Sequence, residues 1–158
     1  MTDPIWEPSK SRIERSNMMR FMTSLQKQYP EIKNYQDLYQ WSINNSENFW
    51  KSIWEFCDVK YKKPYDKVIV DSDKLPGAKW FVGSKINFAE NLLKADDDQL
   101  AIIGRSERPL RSTLTFKQLR NKVARMSHAL IESGVKPEDR VAGYLPNIPE
   151  TVISMLAT

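Results

Sequence analysis

Cysteine and histidine are almost missing from this chain: Cys57 and His128 are the only examples in 158 residues. One cysteine excludes an internal disulfide, and one histidine beside it leaves too few ligands for a structural zinc site. Glycine is scarce as well. Gly77, Gly83, Gly104, Gly134 and Gly143 stand singly, whereas a phosphate-cradling loop needs clustered glycines so that backbone amides can reach the oxygens. No apolar run approaches the roughly 20 residues of a membrane-spanning helix, and the Met1 to Pro4 start is polar and turn-like. These absences read as a cytoplasmic protein with no membrane partner.

Charge of one sign is also modest. The net charge is +4, from 24 basic against 20 acidic residues. The densest basic stretch, Lys60, Lys62 and Lys63, is interrupted by Tyr61 and followed by Pro64. Sequence-independent nucleic-acid binding needs more closely clustered cations, so this stretch reads as a solvated linker and no nucleic-acid partner is expected.

What the chain does have is 41% hydrophobic residues, enough for an ordinary globular core. Its first part is helical in pattern and rich in aromatics. Ser11-Arg12-Ile13-Glu14 fits a capping box, followed by an apolar face of Met18, Phe21, Met22 and Leu25 that Pro30 ends. A second segment carries Tyr35, Leu38 and Tyr39 and leads into Trp41. Asn44, Asn45 and Ser46 then offer a turn and an N-cap for a helix presenting Phe49, Trp50, Ile53 and Trp54 on one face. Each large aromatic buries about 150 to 250 Å², so this segment needs a surface to pack on.

From about Gln99 strands and helices alternate. Residues 99–103 and 114–116 read as strands. Thr115-Phe116-Lys117-Gln118 is a second capping box, opening a helix with Phe116, Leu119, Val123, Met126 and Leu130 at helical spacing. Ser133-Gly134 stops it. Residues 140–145 read as a buried strand. Asn147 then caps a helix with Pro149 in its first turn, Glu150 at the capping-box position, and an apolar pattern of Ile148, Val152, Met155 and Leu156. This order predicts an α/β layer with a parallel sheet. The last apolar pattern stops at Thr158 with neither a C-cap nor a strand to cover it, so a longer chain is expected.

Between the two halves lies LPGAKWFVGSKINFAENLL. Pro76-Gly77 fits the centre of a type II turn. Asn87-Phe88-Ala89-Glu90 is an Asn-started capping box, and Leu92 and Leu93 are the expected buried face of a short helix. Trp80 and Phe81 are the expected pegs of a joint between the halves, with no catalytic role for them or for Asn87 and Glu90.

Reactive groupings are few. Cys57 and His128 are far apart in sequence, with no visible orienting group, and His128 lies off the apolar stripe of its helix. Asp96, Asp97 and Asp98 are adjacent, so their carboxylates diverge and lack the alternate spacing of a calcium loop. Asp71 and Asp73, with Lys74 and Pro76 following, read as linker. No catalytic, cofactor-binding or metal-binding residue is assigned.

Several blocks together resemble a known family. IWEPS followed by IERSNMMRFM, YQDLYQWSI with FWKSIW, PGAKWFVGSKINFAENLL, LTFKQLRNKVA and GVKPEDRVAGYLPNIPETVISMLAT are similar, nearly end to end, to the amino-terminal part of the acetoacetyl-CoA synthetases (acetoacetate-CoA ligases). These belong to the acyl-adenylate-forming superfamily. The resemblance implies an AMP-forming acid-thiol ligase: acetoacetate attacks the α-phosphate of ATP, and coenzyme A then displaces AMP. It also implies magnesium, cations on the reacting oxygens, and a phosphate loop, acidic and arginine motifs and a catalytic lysine that match no position here. On this basis residues 1–65 are a helical N-terminal extension, 66–98 a connecting segment docking on the core, and 99–158 the incomplete beginning of the adenylate-forming domain. The chain by itself would be inactive and bind no cofactor, its partner being the rest of the ligase. The other reading is a free-standing binding or interaction module derived from such an enzyme. Glu138 departs from the family, many of whose members have glycine before the Asp-Arg pair.

Overall fold

A computed structural model describes residues 5–106 and 111–158; the Met1 to Pro4 start and part of the loop before residue 114 lie outside them. The chain forms two compact units, Met1–Ile86 and Asn87–Thr158. Every tryptophan belongs to the first.

In the first unit the helical start is broken in two, α1 (Lys10–Glu14) and α2 (Asn17–Gln26). The capping box expected at Ser11 does not form, because Ser11 sits inside α1. Ser16, immediately before the apolar stripe, caps instead: its Oγ accepts from the Met19 amide at 3.1 Å. Phe21, Met22 and Leu25 are buried as expected, while Met18 is exposed. In α3 (Tyr35–Asn44), capped by Asn34, the buried pair is Leu38 and Trp41, and Tyr35 and Tyr39 face outward. α4 (Ser46–Phe56) follows after Asn45. Phe21, Met22, Leu25, Leu38 and Trp41 gather around the fully buried Ile32, with Phe49, Ile53 and Phe56 packed against them. Phe21 meets Phe49 and Phe56 edge-on, at 6.1 and 5.1 Å.

A hairpin completes this unit. β1 (Lys67–Val70) and β2 (Lys79–Val82) are antiparallel, with Ile69 opposite Trp80. The connecting loop is closed by the Ala78 amide donating to the Lys74 carbonyl at 3.3 Å, a wider turn than the type II turn read from Pro76-Gly77. In a regular strand neighbouring side chains point to opposite faces. Here Trp80 packs on Trp50 at 5.6 Å and Phe81 on Trp54 at 4.5 Å, both on α4. The left-handed backbone of Phe81, φ +47°, breaks the alternation and turns two consecutive rings toward one helix.

The second unit begins with α5 (Phe88–Leu92), where Asn87 Oδ1 accepts from the Glu90 amide at 2.8 Å. Leu93 and Ala89 pack inward, but Leu92 is exposed, contrary to the expected Leu92-Leu93 face. β3 (Leu100–Arg105) and β4 (Arg111–Thr115) form an antiparallel hairpin with a bulge between Leu100 and Ile102. The capping box at Thr115 forms completely: Gln118 Oε1 accepts from the Thr115 amide at 2.9 Å, and Thr115 Oγ1 from the Gln118 amide at 3.3 Å. It opens α6 (Phe116–Glu132), which ends before Ser133 and Gly134, the latter at φ +91°.

α7 (Pro149–Ala157) is capped at Ile148 rather than Asn147. Its buried residues are Ile153, Leu156 and Ala157, in one core with Leu119 and Val123 of α6. Thus α7 is not the uncovered helix that its sequence pattern suggested; Met155 is exposed instead of buried.

The expected strand at residues 140–145 carries no regular secondary structure, and Val141, Tyr144 and Leu145 are exposed. A strand exists only when a neighbour takes its amides and carbonyls, and none does so among the described residues. For the same reason no parallel sheet forms there: both sheets are two-stranded and antiparallel. The fold is a mixture of helix and strand, as the elements predicted.

Glu138 has φ +78°, which explains why glycine suits this position. A left-handed conformation costs an L-residue roughly 1 to 2 kcal/mol, partly offset by the greater unfolded-state entropy of glycine. Glu138→Gly should therefore stabilise the second unit by about 0.5 to 1 kcal/mol, read as a higher urea midpoint. An unchanged or lower midpoint would contradict the strain argument.

Candidate functional site

In the first unit the rings converge on Trp54. It is 8% exposed and meets Tyr61 at 5.8 Å, Tyr65 at 5.2 Å and Phe81 at 4.5 Å. Its faces are occupied by neighbours, whereas a stacking platform must present an open face to its ligand. Beside it lies an open cavity of about 370 Å³ lined by Trp54, Glu55, Tyr61 and Tyr65 among others. Two of the three lysines in the basic stretch pair with carboxylates: Lys60 with Asp58 at 2.6 Å and Lys63 with Asp66 at 3.2 Å. Asp71 pairs with Lys74 at 3.2 Å. The array is ring packing, flanked by exposed ion pairs that are each of small energetic weight.

The second unit has a similar cavity of about 370 Å³ between the β3-β4 hairpin and the start of α7, lined by Arg105, Arg111, Ser112, Asn147 and Glu150 among others. Its closest packing is at Gly104, where an added Cβ would lie 2.5 Å from Ser112 Oγ and 3.0 Å from the Pro149 ring. Arginines and a glutamate at its rim offer charge of both signs.

Arg120 is a residue that the sequence did not single out. From α6 its guanidinium donates to the carbonyls of Leu93 at 2.5 Å and Ala95 at 2.8 Å and forms an ion pair with Asp97. It latches the loop between α5 and β3 onto α6. Of the three adjacent aspartates, Asp97 therefore has a structural task, and Asp96 Oδ2 accepts weakly from Gln99 at 3.4 Å.

Cys57 lies exposed at the C-terminal end of α4 in the first unit. His128 lies on the exposed side of α6 in the second, 3.2 Å from Glu132. Among the described residues, no three His, Cys, Asp or Glu side chains converge as metal ligands. The glycines stand singly, and Asp58, Asp66, Asp71 and Asp97 are engaged in ion pairs, so these residues do not form a cradle for ATP phosphates or magnesium. No step through either is drawn from them. No helix of the described residues is long and apolar enough to cross a membrane.

Comparison with known proteins supplies what the geometry lacks. Residues 35–92 match the family described as acetyl-coenzyme A synthetase N-terminus, and residues 88–158 match the AMP-binding enzymes. The two matches follow one another along the chain and overlap at residues 88–92. Over nearly its whole length the chain is similar to part of the acetoacetyl-CoA synthetases. It is 38% identical to acetoacetyl-CoA synthetase of Danio rerio over 157 residues, which is 97% of this chain and 23% of that one. It is 33% identical to malonamoyl-CoA synthetase vrtB of Penicillium aethiopicum, covering 98% of this chain and 22% of that one. The solved acetoacetyl-CoA synthetase from Streptomyces lividans superposes with a TM-score of 0.90 at 35% identity, over 99% of this chain and 25% of that one. The chain thus spans about a quarter of the length of the relatives it matches.

Proposed function

We propose that this chain is the N-terminal quarter of an ATP-dependent acyl-CoA ligase of the acetoacetyl-CoA synthetase type. The whole enzyme would convert acetoacetate, ATP and coenzyme A to acetoacetyl-CoA, AMP and diphosphate, in the cytoplasm and with magnesium. In this reading the chain is inactive alone. It contributes the aromatic helical unit and the opening elements of the AMP-binding domain, and the rest of the ligase is its partner. No residue of the chain is given a catalytic, cofactor-binding or metal-binding role. The observation that carries this reading is the superposition on the Streptomyces lividans enzyme over 99% of the chain.

The test is a chimera in which this chain replaces the corresponding first quarter of the Danio rerio enzyme. Acetoacetyl-CoA formation dependent on ATP is expected from the chimera, and none from the chain alone. The kinship with a malonamoyl-CoA synthetase fits an acid preference set outside this quarter, so the chimera should keep the acid preference of the Danio rerio parent. A folded chimera without turnover would sink the ligase reading and favour an interaction module, and turnover by the chain alone would refute its inactivity.

A further inference from the structure

The C-terminal end of α4 turns on a residue that backbone geometry alone would not choose. The Val59 amide donates to the Trp54 carbonyl at 3.2 Å and the Asp58 amide to the Glu55 carbonyl at 3.0 Å. These are the paired bonds of a helix end whose turning residue is left-handed and usually glycine. Here it is Asp58, at φ +47°. Strain accepted where glycine would relieve it points to a task for the side chain. Asp58 stands on the wall of the cavity of about 370 Å³ beside Trp54, with Glu55, Tyr61, Pro64 and Tyr65. The turn brings the segment after α4 back over Trp54. Tyr61 and Tyr65 each meet that indole, their ring planes inclined to it by 37° and 82°, so rings in three different planes border one cavity. Trp54 is covered; open ring surface is offered by Tyr61, 49% exposed, and by the half-buried Tyr65.

Aromatic walls beside carboxylates attract a cation, through the ring quadrupoles and through charge. Asp58 is paired with Lys60, whereas among the described residues no hydrogen bond or ion pair engages the Glu55 carboxylate. Lys60, Lys62 and Lys63 lie in the same segment, and Lys63 is held by Asp66, so the surroundings carry no large negative charge to draw in a hydrated ion. The gain must come at the rings, which favours a weakly hydrated cation over a primary ammonium, whose water is costly to remove. We propose that the cavity bordered by Trp54, Tyr61 and Tyr65 binds a methylated ammonium group, with Glu55 and Asp58 as its counter-charges. The proposal concerns the first unit alone and is independent of the ligase reading.

The test is an NMR titration of the full chain with choline and with its neutral carbon isostere, dimethylbutanol. Choline should shift the ring resonances of Trp54, Tyr61 and Tyr65 saturably, and the isostere should bind about tenfold more weakly. Tyr61→Ala should weaken choline binding about fivefold, while Tyr61→Phe keeps it within about twofold. Glu55→Gln, on the exposed side of the helix end, should weaken it about threefold, and gives a readout even if Tyr61→Ala fails to fold. Asp58→Gly should move two quantities in opposite directions, raising the melting temperature and weakening choline binding about threefold. A higher melting temperature with unchanged affinity would overturn the role of Asp58. Equal binding of choline and the isostere would reduce the site to an apolar cleft and overturn the proposal. So would the absence of saturable shifts up to about 100 mM choline. Trimethyl-lysine amide, as a second probe, separates the sources of the group: binding tighter than choline assigns it to a modified lysine side chain, and weaker binding to a free small molecule, and either sustains the proposal.

Discussion

Trp54→Ala should lower the stability of the first unit by about 3 to 5 kcal/mol, the usual cost of deleting a buried aromatic side chain. Trp54 is where two sets of rings meet. It belongs to α4, whose Phe49, Ile53 and Phe56 pack on the main core. It also takes Phe81 from β2 and Tyr61 and Tyr65 from the segment before β1. Alanine would leave a cavity that three partly exposed rings cannot refill without moving. Total stabilities of small domains are about 5 to 15 kcal/mol, so the loss is a large fraction of the whole. Urea unfolding followed by far-ultraviolet circular dichroism should show a strongly lowered midpoint. Trp80→Ala is the control: at 43% exposed, with Trp50 as its one ring contact among the described residues, it should cost about 1 kcal/mol. Equal shifts for the two variants would mean that burial of Trp54 is not what holds the hairpin to α4.

Leu119→Ala should cost the second unit about 2 to 5 kcal/mol. Leu119 is 4% exposed and shares a core with Val123, Ile153, Leu156 and Ala157, so it ties α6 to α7. Its removal should speed hydrogen exchange along both helices. Met126→Ala, on the same helix but only partly buried, should do so less. If Leu119→Ala left exchange in α7 untouched, the shared core would not be what anchors that helix.

Which parts of this fold were legible depends on how far apart the interacting groups lie. The Thr115 box was readable because both of its bonds close within four residues and nothing nearby competes. Ser11 offered the same spelling, yet Ser16 lay nearer the apolar stripe and took the cap. The α7 pattern was read with Met155 inside because sequence spacing does not say where α6 lies; contact with α6 buries Ile153 and Ala157. Phe81 gave no local sign of the left-handed backbone that accompanies its packing on Trp54 of α4. Arg120 was invisible because its carbonyl partners lie 25 and 27 residues earlier. Residues 140–145 show the opposite case: their composition specifies a strand, and the strand is missing because pairing is a property of two segments. No active-site chemistry was legible in the sequence, whose single cysteine and single histidine lie far apart.

The separation of the aromatics has an optical consequence. All five tryptophans lie in the first unit, while the second contains a single tyrosine, Tyr144, among six in the chain. Indole emission therefore reports one unit only, without any engineered label. The lone phenol of the other unit, Tyr144, is exposed, so a nitro or fluoro substituent on it would give that unit a spectral signal of its own.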